Sequence, residues 1–126
     1  MKLTLKLASI LFGALASLLV LAGCQSTPAP DTEKPVVKFI QPQDGDTFDP
    51  GVYVMSAHAT DNVRVKLVVF WTEGEMLGFI MHEDSDTYRL GIDARPDTGQ
   101  TYKLIVEADD DVRNLGWDSV TVHIRR

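Results

Sequence analysis

The 126-residue chain has one cysteine, Cys24, so no disulfide can form within it, and whatever folds must be held by a packed core. Basic charge is scarce: 12 Lys and Arg stand against 18 Asp and Glu, for a net charge of −6 at pH 7. With no basic cluster to displace counterions from a phosphate backbone, the composition excludes nucleic acid as a partner. The three histidines, His58, His82 and His123, fall on separate segments and do not converge as metal ligands or as a base beside a nucleophile. No serine sits in a nucleophile motif and no glycine-rich loop leads into a helix. Carboxylates are abundant, but a pair for glycoside chemistry needs a cleft and one raised pKa, which nothing in the pattern suggests. The chain therefore reads as not an enzyme. Past residue 35 there is also no apolar repeat of helical period.

What is present is ordered by property from the first residue. Lys2 and Lys6 give a positive start, an uncharged apolar stretch runs to Gly23, and small residues precede Cys24. This is the layout of a signal peptide over residues 1–23. The uncharged stretch from Leu7 to Gly23 falls short of the ~18 or more residues of a membrane-spanning helix. Its end, Leu21-Ala22-Gly23-Cys24, resembles the bacterial lipoprotein lipobox. The resemblance implies cleavage before Cys24, a diacylglycerol thioether on its sulfur and acylation (palmitate or a similar chain) of the new amino group. Each buried methylene is worth ~0.8 kcal/mol, and two or more chains anchor stably where one does not. The expected location is a cell membrane or outer membrane, with the domain on the exported side. Loss of Lys2 and Lys6 takes the net charge from −6 to −8.

Residues 24–35 are polar, proline-punctuated and without apolar periodicity, and read as a flexible tether. In a polyproline-like state it spans up to about 30 Å.

Over residues 36–126 the apolar residues take a period of two, in short runs separated by Gly, Pro, Asn and Asp, which predicts an antiparallel β domain. The predicted strands are Val36 to Ile40, Val52 to Ala59, Arg64 to Trp71, Leu77 to His82, Tyr88 to Asp93, Tyr102 to Asp109 and Trp117 to Arg125. Pro35-Val36-Val37, Pro42 with Gly45, the alternation from Ala57 through Phe70, Gly74, Leu77-Gly78, Tyr88 with Ile92-Asp93, the Tyr102 to Asp110 alternation and Val120, Val122 and Ile124 together resemble the bacterial Ig-like domains appended to secreted and surface proteins. The resemblance implies an all-β fold, an Ig-like antiparallel sandwich of about seven strands. Alternation then assigns Tyr53, Met55, Ala57, Ala59, Val65, Val68, Phe70, Leu104, Val106, Ala108, Val120, Val122 and Ile124 to the core. Tyr102 resembles a tyrosine corner, a stabilising device.

With Val68 and Phe70 inward, Leu67, Val69 and Trp71 are predicted to face out, and Ile105 on a neighbouring strand extends the stripe. An exposed apolar patch with an aromatic anchor suits docking of a protein partner or a second copy. The alternative is a carbohydrate-binding module, with Trp71, Trp117 or Tyr88 stacking on sugar rings. A second constellation is acidic: Asp109-Asp110-Asp111 with Asn114, and Asp61 in another loop at the same end of such a sandwich. Oxygen donors from two loops are what Ca²⁺ takes. The spacing fits no EF-hand, however, Arg113 stands among the donors, and acidic turns serve local hydrogen bonding in their own right. No other cofactor is expected. The reading is a membrane-anchored, noncatalytic lipoprotein whose Ig-like domain is a protein-interaction or structural module at the cell envelope.

Overall fold

The computed structural model describes Gly23, residues 26–95 and residues 98–126. The lipobox residues Leu21, Ala22 and Cys24 lie outside the described residues. The chain divides into two units, Met1–Pro30 and Asp31–Arg126. In the first, Gly23 and residues 26–30 are exposed and carry no regular structure. No helix among the described residues is long and apolar enough to cross a membrane.

The second unit is all β. Its strands are β1 (Val36–Gln41), β2 (Thr47–Phe48), β3 (Val52–Thr60), β4 (Val65–Thr72), β5 (Glu75–Met81), β6 (Thr87–Asp93), β7 (Thr101–Asp110) and β8 (Leu115–Ile124). All seven predicted strands are present, with ends displaced by one or two residues, and β2 is additional. They form two sheets, β1-β3-β6 and β2-β8-β7-β4-β5. Every pairing is antiparallel except β2 with β8, where Thr47 stands opposite His123. The β4–β5 hairpin turns at Gly74, whose φ of 86° lies in the left-handed region that a side chain disfavours.

The period of two in the sequence becomes the two-layer core. Val37, Met55, Ala57, Ala59 and Tyr88 from one sheet meet Val65, Val68, Phe70, Leu104, Val106, Ala108, Val120 and Val122 from the other. Phe39 tilts against Phe70 with ring centroids 6.1 Å apart and planes 60° apart. Tyr53, predicted inward, is only half-buried: its ring packs on Phe48 at 4.7 Å and its hydroxyl donates to the Asp49 carbonyl at 2.5 Å. Tyr102 packs against the core from its margin. Across the sheets, Asp118 on β8 accepts the Phe39 amide at 3.0 Å and faces the Lys38 ammonium at 3.6 Å, tying β1 to the larger sheet.

Because β1, β3, β4, β7 and β8 run antiparallel in sequence, one pole of the sandwich gathers the start of β1, the end of β3, the start of β4, the end of β7 and the start of β8. Asp61, Asp110 and Asn114 are all at this pole, as the two-loop reading predicts, and so is Asp31 at the head of the unit.

Candidate functional site

Register decides what the outer face of the five-stranded sheet presents. On β4, Leu67 pairs with Met81, Val69 with Phe79 and Trp71 with Met76 of β5. On the other side, Leu67 pairs with Asp109, Val69 with Glu107 and Trp71 with Ile105 of β7, and Glu107 in turn pairs with Trp117 of β8. Directly paired residues of an antiparallel ladder share a face. The predicted stripe Leu67, Val69, Trp71 and Ile105 therefore forms one surface, widened by Met76, Phe79, Met81 and Trp117. Phe79 is 56 % and Trp117 66 % exposed.

The exposure within this surface is uneven. Leu67, Trp71 and Ile105 are half-buried, and Val69 is 7 % exposed although it stands outside the core cluster. Val69 was expected to be part of the exposed stripe. It faces outward but lies mid-sheet, between Phe79 and Glu107, whose larger side chains shield it. The accessible apolar atoms are thus those of β5 and β8, which the strand-by-strand alternation did not assign to the patch.

Two carboxylates interrupt this apolar face. Glu107 and Asp109 are half-buried there, and Asp109 Oδ1 is buried with no hydrogen-bond partner. Of the aromatics weighed for sugar stacking, Tyr88 is fully buried in the core and Trp71 half-buried, which leaves Trp117 as the exposed ring among them. Trp71 and the exposed Phe79 stand on the same face as Trp117.

The histidines are dispersed, as expected. His58 is exposed on β3, His123 is exposed on β8 with Nδ1 2.8 Å from Thr101 Oγ1, and His82 has Nδ1 2.8 Å from the Val65 carbonyl.

The acidic residues separate into three groups. Asp111 accepts Arg64 Nε at 3.0 Å and Nη2 at 2.6 Å, so that arginine's charge is spent on it, and the pairing holds the Asp111 carboxyl below the usual carboxylate range. Asp109 belongs to the outer sheet face. Of the predicted carboxylates, Asp61 and Asp110 come together, and Asp31, read from sequence as tether, joins them: one carboxylate oxygen from each lies within 4.8 Å of the others. Asp110 is 1 % exposed. Its Oδ1 accepts the amides of Val112 and Asn114, both at 2.8 Å, and its Oδ2 accepts Asn114 Nδ2 at 2.7 Å. Burial pushes the Asp110 carboxyl up, but these bonds outweigh it and hold the carboxyl below its ordinary value. Arg113, which the sequence reading set against a cation, is exposed, with φ at 70°.

At the other pole a mostly apolar cavity of about 280 Å³ opens between the sheets, lined among others by Phe48, Tyr53, Leu77, Ile92, Tyr102 and Val122. It lies just under the ~300 Å³ at which small-molecule sites begin.

Comparison with known proteins gives the fold a family. The profile described as the bacterial Ig domain matches residues 35–122. No curated protein matches the chain. Among solved structures, the fibronectin(III)-like modules of Clostridium thermocellum CbhA superpose with a TM-score of 0.62 at 17 % identity, covering 71 % of this chain and 96 % of theirs. The endo-beta-1,4-mannanase from Thermotoga petrophila superposes with a TM-score of 0.58 at 15 % identity, over 75 % of this chain but 20 % of the enzyme. At such identities the likeness is one of fold.

Proposed function

The chain belongs to the bacterial Ig domain family, and from that premise we propose that it is a noncatalytic, lipid-anchored lipoprotein whose domain docks a protein partner at the cell envelope through the outer face of its five-stranded sheet. The observation that carries the reading is the clustering of Leu67, Val69 and Trp71 with Phe79, Met81, Ile105 and Trp117 on one face, with Phe79 and Trp117 more than half exposed. Single exposed apolar residues are ordinary, but a contiguous face with aromatic anchors is the composition of a docking surface. Glu107 and Asp109 within it favour a partner that brings basic or amide donors to an apolar contact. The anchor is carried by the Leu21-Ala22-Gly23-Cys24 motif and places the domain on the exported side. The partner is then an envelope protein or a second copy of this chain. The mannanase neighbour lends no catalytic role, because the similarity spans a fifth of that enzyme.

The test is site-specific photo-crosslinking in intact host cells, with the reactive residue at position 79 or 71 and at His58, exposed on the opposite sheet, as control. The expected result is a discrete adduct from 79 and 71 and none from 58. Equal labelling from all three, or none from 79 and 71 with the protein present, removes the docking face.

A further inference from the structure

We propose that the loops at residues 61–64 and 110–113 form a membrane-contact tip, with Val63 and Val112 seated in the interfacial layer of the bilayer that holds the lipid anchor. The proposal rests on the anchor read at Cys24 and adds what the folded domain does beside it. Both loops carry the same four-residue order, Asp-x-Val-Arg: Asp61-Asn62-Val63-Arg64 after β3 and Asp110-Asp111-Val112-Arg113 at the end of β7. In each, the aspartate accepts the amide of the valine, from Val63 to Asp61 Oδ2 at 3.0 Å and from Val112 to Asp110 Oδ1 at 2.8 Å. Turns ordinarily carry polar residues. Here each turn presents a valine, 68 % exposed at Val63 and 56 % at Val112. Arg64 reaches across to Asp111, with Nε at 3.0 Å and Nη2 at 2.6 Å. The residue after the first valine is thus clamped to the residue before the second, which joins the two loops into one surface.

The path of the chain says what meets this surface. Asp31, the first residue of the folded unit, accepts Asn62 Nδ2 on its Oδ1 at 3.1 Å and Asn114 Nδ2 on its carbonyl at 3.3 Å, so the stretch leading from Cys24 enters the unit bonded to both loops. Asp31 is seven residues beyond Cys24, a reach of at most about 25 Å. A lipid on Cys24 therefore keeps these loops within that distance of its bilayer and makes their contact with it an intramolecular step, for which two valines suffice although they would not hold a free domain. Backbone donors that leave water must be satisfied, and both valine amides are. Asp110 is buried, and Arg64 and Asp111 neutralise each other. Arg113, exposed next to Val112, has the long stem and planar head that meet a lipid phosphate while its neighbour goes deeper. Asp61, Asp110 and Asp111 offset Arg64 and Arg113, so attraction to anionic headgroups does not drive the contact. The surface it fits is zwitterionic lipid, and salt should leave it unchanged.

The test uses the full chain, purified from host membranes and reconstituted in phosphatidylcholine vesicles that contain doxyl-labelled lipid. With the Cys24 sulfur occupied by the proposed lipid, a cysteine introduced as Val63→Cys, Val112→Cys or Glu73→Cys takes a fluorophore at that position alone. Glu73 is exposed in the turn between β4 and β5, at the other pole. The expected result is flotation of all three chains with the vesicles, loss of fluorescence to the doxyl quencher at 63 and 112, none at 73, and no change in high salt. Val63→Asp in the chain labelled at 112 should abolish the quenching, while its melting temperature stays as it was because the side chain is exposed. Flotation without quenching at 63 and 112, equal quenching at 73, or quenching that survives Val63→Asp overturns the contact and leaves the anchor standing. Failure of the chains to float removes the anchor, and the contact with it.

Discussion

Asp110 shows how one side chain holds a loop. It is the last residue of β7, turned into the sandwich, and it caps the turn toward β8 by accepting the amides of Val112 and Asn114 and the Asn114 side chain. In the sequence it is one of three adjacent acids, Asp109, Asp110 and Asp111, that look alike in a row; alternation sends the middle one inward. Since its carboxyl is held below the ordinary value when folded, the stability it supplies is fully present above the unfolded pKa and is lost as pH falls through the folded one. The melting temperature should therefore drop steeply below about pH 4. Asp110→Asn should start lower at neutral pH, because its amide sets a donor against Asn114 Nδ2, and should fall less on acidification. Some slope should remain, since Arg95 holds Asp93 down at about 2. Thermal denaturation of both proteins from pH 7 to pH 3 checks this; parallel curves would show that Asp110 carries no pH-dependent stability.

Among the elements, β8 is the one most constrained by a close approach. A Cβ on Gly116 would overlap the Pro35 carbonyl, so the glycine is what lets the segment entering β1 lie against the start of β8. Gly116→Ala should force that segment outward and cost about 1–3 kcal/mol, read as a fall in the urea midpoint at unchanged slope. Gly91→Ala, at an exposed position of β6 where an added Cβ meets nothing nearer than 4.0 Å, should cost less. The strands themselves were legible because Val68, Phe70, Leu104, Val106, Val120 and Val122 keep strict alternation, and alternation is what a half-buried strand requires. Three features were not legible, each for a reason of tertiary register. β2 is two residues long, too short for any period. Phe79 and Met81 join the outer face beside Val69 and Leu67 only because β5 pairs with β4 through an irregularity at Phe70 and Trp71, which no count of residues announces. Asp31 sits in a stretch that composition reads as linker, and only the β1–β3 ladder shows that it reaches Asp61.

For the whole molecule, the proposed anchor and the proposed docking face fall on different parts of the chain, Cys24 in the first unit and β4, β5, β7 and β8 in the second, and this separation makes the proposed function divisible by mutation. Cys24→Ser removes the sulfur that would bear the lipid. Among the described residues, the core cluster, with Phe70 and Val106 fully buried, starts at Val37. The variant should therefore leave the membrane fraction while its melting temperature stays as it was, and detergent extracts mixed with envelope proteins should still yield the adduct from position 79. Phe79→Ser should do the reverse. An exposed side chain on an edge strand contributes within about ±0.5 kcal/mol to stability, so the protein should remain membrane-bound and folded but lose the adduct from position 71. Fractionation, thermal melting and crosslinking on the two variants and their combination give three separable readouts. If Phe79→Ser kept the adduct at full yield, docking would not run through this face. If Cys24→Ser stayed with the membrane, the anchor would not be the lipid on that cysteine.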